Sequence, residues 1–102
     1  MGYSGGAMEV RKTAQFAAWI DGLRDSKGRA RVLVRIERLA AGNPGDHAPV
    51  GSGVVELRID TGPGYQVSFV RRGREIVILL AGGDKGSQRR DIAQAKRLAV
   101  EL

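Results

Sequence analysis

Along residues 54–60 (VVELRID), Glu56, Arg58 and Asp60 recur at every second position. A strand there carries a carboxylate, a guanidinium and a second carboxylate on one face. Arg71 follows a Gly-rich turn, and Lys85 sits in a Gly-Gly-Asp-Lys-Gly stretch. One reaction suits so small a set. RNA brings its own nucleophile, the 2′-hydroxyl, so strand cleavage needs only in-line positioning, charge stabilisation on the phosphoryl oxygens, and a modest base and acid. Arg58, Lys85 and Arg71 are the candidates for stabilising the phosphoryl group, with Glu56 or Asp84 as base. The same row reads equally well as a solvated face laced with salt bridges.

Other chemistry lacks raw material. The 102 residues contain no Cys and a single His, His47 in a Gly/Pro-rich stretch, so Cys-His dyads, Ser-His-Asp triads and thiolate metal sites are closed. The Gly-rich loop before Ser87 resembles a phosphate cradle, but Lys85 precedes Gly86 where a P-loop needs Lys after Gly. Neither a cofactor nor a metal is expected.

Charge points to a polyanion. Lys and Arg number 17 against 11 Asp and Glu, a formal net charge of +6, and 13 of the 17 are Arg, whose planar fork pairs with phosphate oxygens. Arginine-rich codon usage accounts for the count equally, so placement has to separate the two. Arg31, Arg35 and Arg38 share one helical face. Arg89 and Arg90 fall in the first turn of a helix, where cations oppose the macrodipole and a docked anion would offset the cost; both are candidates for RNA contact.

The elements that must position these groups follow from periodicity. Residues 9–13 read as a short first strand. In 14–24, Phe16, Trp19, Ile20 and Leu23 form one helical stripe, and a second helix covers 29–41 with Val32, Leu33, Ile36, Leu39 and Ala40 inward. The short link between them predicts an antiparallel helical hairpin lying across a sheet. Residues 42–53 read as a loop. The pattern then switches to period 2, predicting an antiparallel meander of 54–60, 65–71 and 75–81, with the wholly apolar 76–80 as its central strand. Ser87 is a candidate N-cap for a last helix to residue 102, whose inward stripe of Ile92, Ala95, Leu98, Ala99 and Leu102 is small. The chain is one domain over 8–102, with 1–7 (MGYSGGA) as a disordered extension or expression remnant. No membrane segment is expected, and the absence of Cys fits a cytoplasmic location.

The element order, with ELR at 56–58, GYQV at 64–67 and LLAGGDKGSQ at 79–88, resembles the RelE/HigB-like toxins, the addiction-module killer proteins of the RelE/ParE superfamily. The resemblance spans nearly all of 8–102. It implies an α+β fold in which the helical hairpin packs on one side of a small, curved, mainly antiparallel sheet, the cleavage surface lies on the other side, and a C-terminal helix follows. It also implies the toxin of a type II toxin-antitoxin system, a metal-independent mRNA endoribonuclease that acts free or on the ribosome and is held inactive by a cognate antitoxin. Carried over by position, Arg58 and Lys85 contact phosphate, and Tyr65 is the aromatic of the Gly-Tyr step. Gln66 stands where relatives often have Arg, leaving Arg71 or Arg72 to supply the missing charge. Toxins of similar fold that poison DNA gyrase, and a non-catalytic RNA-binding domain, are the alternatives.

Overall fold

The computed structural model describes residues 7–102. All but one residue of the expected N-terminal extension lies outside them. Five strands and three helices follow in the order β1 (Glu9–Lys12), α1 (Ala14–Gly22), α2 (Ser26–Ala40), β2 (His47–Gly51), β3 (Val54–Ile59), β4 (Tyr65–Arg72), β5 (Ile76–Asp84) and α3 (Gln88–Glu101). The strands form one open sheet in the order β1-β5-β4-β3-β2, antiparallel except for the parallel β1-β5 edge pair. The fold is α+β, a helical hairpin and a C-terminal helix on a mainly antiparallel sheet. Among the described residues, no helix is long and apolar enough to cross a membrane.

The two faces of the sheet are covered differently. Phe16 and Ile20 of α1 and Val32, Ile36 and Leu39 of α2 share a buried cluster with Leu57, Ile59, Tyr65, Val67, Phe69, Val77 and Leu79. The opposite face carries Val54, Val70, Leu80 and Ala81 beneath Ala95 of α3, flanked by Leu98 and Ala99. Each helix of the hairpin starts on a side-chain cap: Thr13 Oγ accepts from Phe16 N at 3.0 Å, and Asp25 Oδ1 accepts from Gly28 N at 3.1 Å. Thr13 Oγ also donates to Leu80 O at 2.7 Å, so one side chain starts α1 and ties it to the sheet.

Several expectations are corrected. The expected 42–53 loop contains strand β2, an edge strand in which Pro49, lacking an N–H, is tolerated. The middle strand is β4; β5 lies beside it, also covered on both faces. Leu33 is exposed, because the buried stripe of α2 is the narrow row Gly28, Val32, Ile36 and Leu39. Finally, β5 runs on through Gly82 and Gly83 to Asp84, so the two glycines lie in a strand. An ideal Cβ would fall 2.2 Å from the Trp19 ring at Gly82 and 1.7 Å from Asp91 Oδ2 at Gly83. The pair lets α1 and α3 approach opposite faces of one strand, a packing role rather than a phosphate cradle.

Candidate functional site

Register sets one row of side chains across the end of the sheet on the α3 side: Arg58 of β3 pairs with Gln66 of β4, which pairs with Gly83 of β5. The row continues toward β2, where Asp46 O accepts from Arg58 N at 2.9 Å. Over it opens a cleft of about 490 Å³, lined by Asp46, Arg58, Asp60, Tyr65, Gln66, Lys85 and Gln88 among others. Lys85 enters from the link between β5 and α3, its aliphatic chain lying against Gly64. Gly64 has φ +84°, so the Gly of the Gly-Tyr step serves both the backbone conformation and the close passage of Lys85. Two cations and two exposed carboxylates, Asp46 and Asp60, thus face one concavity.

Arg58 is braced from behind. Glu56, one row further in beneath α3, is 0% exposed, contrary to its expected place on a solvated face. Gln88 Nε2 donates to both of its carboxylate oxygens at 2.9 and 3.0 Å, and Arg58 Nε donates to Oε1 at 3.1 Å. A carboxylate so engaged is a positioning group for the half-exposed guanidinium rather than an accessible base. Asp84 is also engaged, its Oδ1 accepting from Gly86 N at 2.9 Å. The open carboxylates of the cleft are therefore Asp46 and Asp60.

Of the expected RNA contacts, Tyr65 and Gln66 are buried. Tyr65 Oη donates to Asp25 Oδ2 at 2.7 Å, and its ring meets Trp19 edge-on at 6.2 Å, so no face is free for a base to stack on. Gln66 Nε2 donates to Asp84 O at 2.8 Å. Arg71 and Arg72 pair with Val77 and Ile76 at the other end of β4. Six residue steps of strand carry the chain from Gln66 to Arg72, about 20 Å. Neither arginine supplies charge to the cleft. Arg89 and Arg90 are exposed on the first turn of α3, just beyond Gln88. Within the Arg31, Arg35, Arg38 face, Arg35 is committed: its guanidinium donates to the carbonyls of Arg58, Pro44 and Asp46, clamping α2 to the cleft rim. Desolvation lowers its pKa.

Asp46 and Asp91 carry no signal in the sequence, and Gln88 enters it only as the last residue of the 79–88 segment with no role assigned, since each acts through register or through the start of α3. Asp91 Oδ2 accepts from Ser87 Oγ and lies over Gly83; Ser87 stands at the N-cap position but makes no side-chain cap bond. Among the described residues, no group of three or more His, Asp or Glu side chains is placed to hold a metal ion.

No family model matches the chain. An uncharacterised protein of Haemophilus influenzae is 44% identical over 95 residues, 93% of this chain and 96% of that protein. The solution structure of the conserved hypothetical protein HP0894 from Helicobacter pylori is similar with a TM-score of 0.50 at 21% identity, covering 78% of this chain and 96% of that one. This likeness extends to the fold.

Proposed function

We propose that this chain, which belongs to the same family as the Haemophilus influenzae protein, is a RelE/HigB-like toxin of a type II toxin-antitoxin pair. Its action is to cut mRNA, free or on the ribosome, and so to stop translation. The observation that carries this reading is that Arg58 and Lys85 line one open cleft, with Arg58 held by a wholly buried carboxylate. A guanidinium fixed before substrate arrives needs no reorganisation as charge develops on the phosphoryl oxygens.

In this reaction the 2′-oxygen of the substrate attacks the adjacent phosphorus and the bond to the 5′-oxygen breaks. Arg58 and Lys85 stabilise the pentacovalent phosphoryl group. Asp46 or Asp60 takes the 2′-hydroxyl proton, replacing the buried Glu56 and the engaged Asp84 in that role, and solvent in the open cleft returns a proton to the departing 5′-oxygen. Arg89 and Arg90 would hold RNA beside the cleft. The cytoplasmic partners of this reading are mRNA, the ribosome and an acidic cognate antitoxin that neutralises the basic surface.

Induced expression of the wild type, Arg58→Ala and Lys85→Ala, with 5′-end mapping of cellular mRNA, tests it. The wild type should arrest growth and generate new mRNA ends, and neither variant should. Intact mRNA with an SOS response would support the gyrase-poisoning alternative. Intact mRNA with normal growth would leave an RNA-binding domain.

A further inference from the structure

We propose that the β4-β5 hairpin, with the outer side of α3, forms a second RNA-binding surface that grips the phosphodiester backbone away from the cleft. The hairpin carries Arg71, Arg72 and Arg74, all exposed, and among the described residues none of them forms a salt bridge. Register places Arg71 opposite Val77, on the side of the helical hairpin, and Arg72 opposite Ile76, on the side of α3, so the two cations straddle the end of the sheet. Arg74 lines an open depression of about 620 Å³ with Arg11, Glu9 and Glu75. Arg11 is paired with Glu9, which leaves Glu75 alone against three unpaired guanidinium groups.

The basic character continues along α3. Its first residue, Gln88, lies at the cleft, Ala95 packs with Val54, Val70 and Leu80, and Leu98 and Ala99 join the cluster that includes Ile78. The helix therefore leads from the cleft back over the sheet toward the hairpin. Arg97, exposed on its outer side beyond Ala95, belongs to this surface, while Arg90, seven residues earlier on the same side, stays with the cleft. Three like charges within four residues repel one another, and nothing in the packing of a strand end requires them. An RNA backbone relieves the repulsion, and the arginine fork matches its phosphates. With about 20 Å of strand between hairpin and cleft, the two surfaces can be separated by mutation. The proposal stands independently of the toxin reading.

The test is fluorescence anisotropy of labelled oligouridylate RNA across a salt series, with oligothymidylate DNA of equal length and polyglutamate as comparison ligands. The triple variant Arg71→Gln/Arg72→Gln/Arg74→Gln should lower the slope of log affinity against log salt by about 2, from three contacts at about 0.7 each, while Arg58→Gln lowers it by about 1 at most. Circular dichroism checks the fold. Should the triple variant melt early, Arg74→Gln alone, in the turn and outside the ladder, should lower the slope by about 0.7. Equal losses on RNA and DNA assign the surface to phosphates alone, and a loss on RNA only assigns it to RNA specifically. An unchanged slope overturns the proposal. So does weakened polyglutamate binding with RNA binding intact, which would make the patch a site for an acidic protein. RNA bound through the hairpin but never cut would sink the ribonuclease reading and leave this surface standing.

Discussion

Tyr65 Oη donates to Asp25 Oδ2 over 2.7 Å, joining the strand at the floor of the cleft to the residue that caps α2. The backbone bond from Gly28 and then the Tyr65 hydroxyl hold the Asp25 carboxyl below its ordinary 3.8, while the bond to Asp25 and desolvation raise Tyr65 above its ordinary 10.0. A depressed carboxyl contributes stability above its unfolded value that is lost as pH falls through its folded value. A raised phenol contributes stability below its unfolded value that is lost as pH rises through its folded value. The difference in melting temperature between wild type and Tyr65→Phe should therefore be level from about pH 5 to pH 9 and shrink at both extremes. A difference that stays constant at both ends would show that this bond contributes nothing to folding.

Adjacent glycines in β5 should respond unequally to alanine. A Cβ at Gly82 would enter the Trp19 ring, at 2.2 Å, and a rigid indole packed between Phe16 and Tyr65 has little freedom to withdraw. At Gly83 the obstacles are the Asp91 carboxylate and, less closely, the Ser87 hydroxyl, the far ends of side chains that can rotate away. Gly82→Ala should cost about 1–3 kcal/mol or more in urea unfolding, the usual range for overpacking. Gly83→Ala should cost less, and adding Asp91→Ala should recover part of its loss. If Gly83→Ala is the worse of the two, α3 is held on the sheet more firmly than these contacts indicate.

Arg58 and Lys85 should matter to chemistry more than to folding, because both are exposed. Under the proposed mechanism each alanine variant should cut RNA about 100 to 1,000 times more slowly, the usual effect of losing one preorganised charge contact, or about 2.7–4 kcal/mol in the barrier. Thermal unfolding should move by a few degrees at most, since Glu56 keeps its two bonds from Gln88 when Arg58 is removed. A fully active variant would take that residue out of the site. Trp19→Ala should behave in the opposite way, with a stability loss of about 3–5 kcal/mol.

The period-2 rows of β3, β4 and β5 and the 3.6-period stripe of α1 are legible in the sequence because each has one plainly apolar face. What the sequence hides is what covers the other face. Glu56 reads as part of a solvated row and Gln66 as an RNA contact, yet both are buried, as is Ser68, because α3, with its small apolar stripe, lies over them. The same polar positions make β4 look less central than IVILL of β5, and the order of strands reverses that. Arg71 sits only a few residues beyond the Gly-Tyr step, but in an extended strand those residues carry it to the other end of the sheet. Lys85 and Arg58, by contrast, occupy a strand end and a loop whose positions follow from the meander itself. Their convergence was foreseeable, and their partners Asp46 and Gln88 were not.

Gln88 and Glu56 should be thermodynamically coupled. The Gln88 amide donates to both carboxylate oxygens of a side chain with no exposure, so removing Gln88 leaves a buried carboxylate short of partners, whereas Gln88, at the open cleft, can turn to water when Glu56 is removed. A stranded buried group costs about 1–3 kcal/mol, more when charged. Gln88→Ala leaves Glu56 with Arg58 as its remaining partner, whereas Glu56→Ala deprives both Gln88 and Arg58 and opens a small cavity, so it should be the more destabilising of the two. Once one partner is gone, the second substitution should cost much less than it does alone, giving a coupling of about 0.5–3 kcal/mol in a double-mutant cycle measured by chemical denaturation. The conservative Glu56→Gln should retain the fold but release the Arg58 guanidinium, slowing RNA cleavage without the stability loss of Glu56→Ala. Additive single effects would show that the start of α3 is held by the Asp91 and Ser87 contacts instead. The bracing of Arg58 would then have to come from its backbone bond to Asp46 and from the Arg35 clamp on its carbonyl.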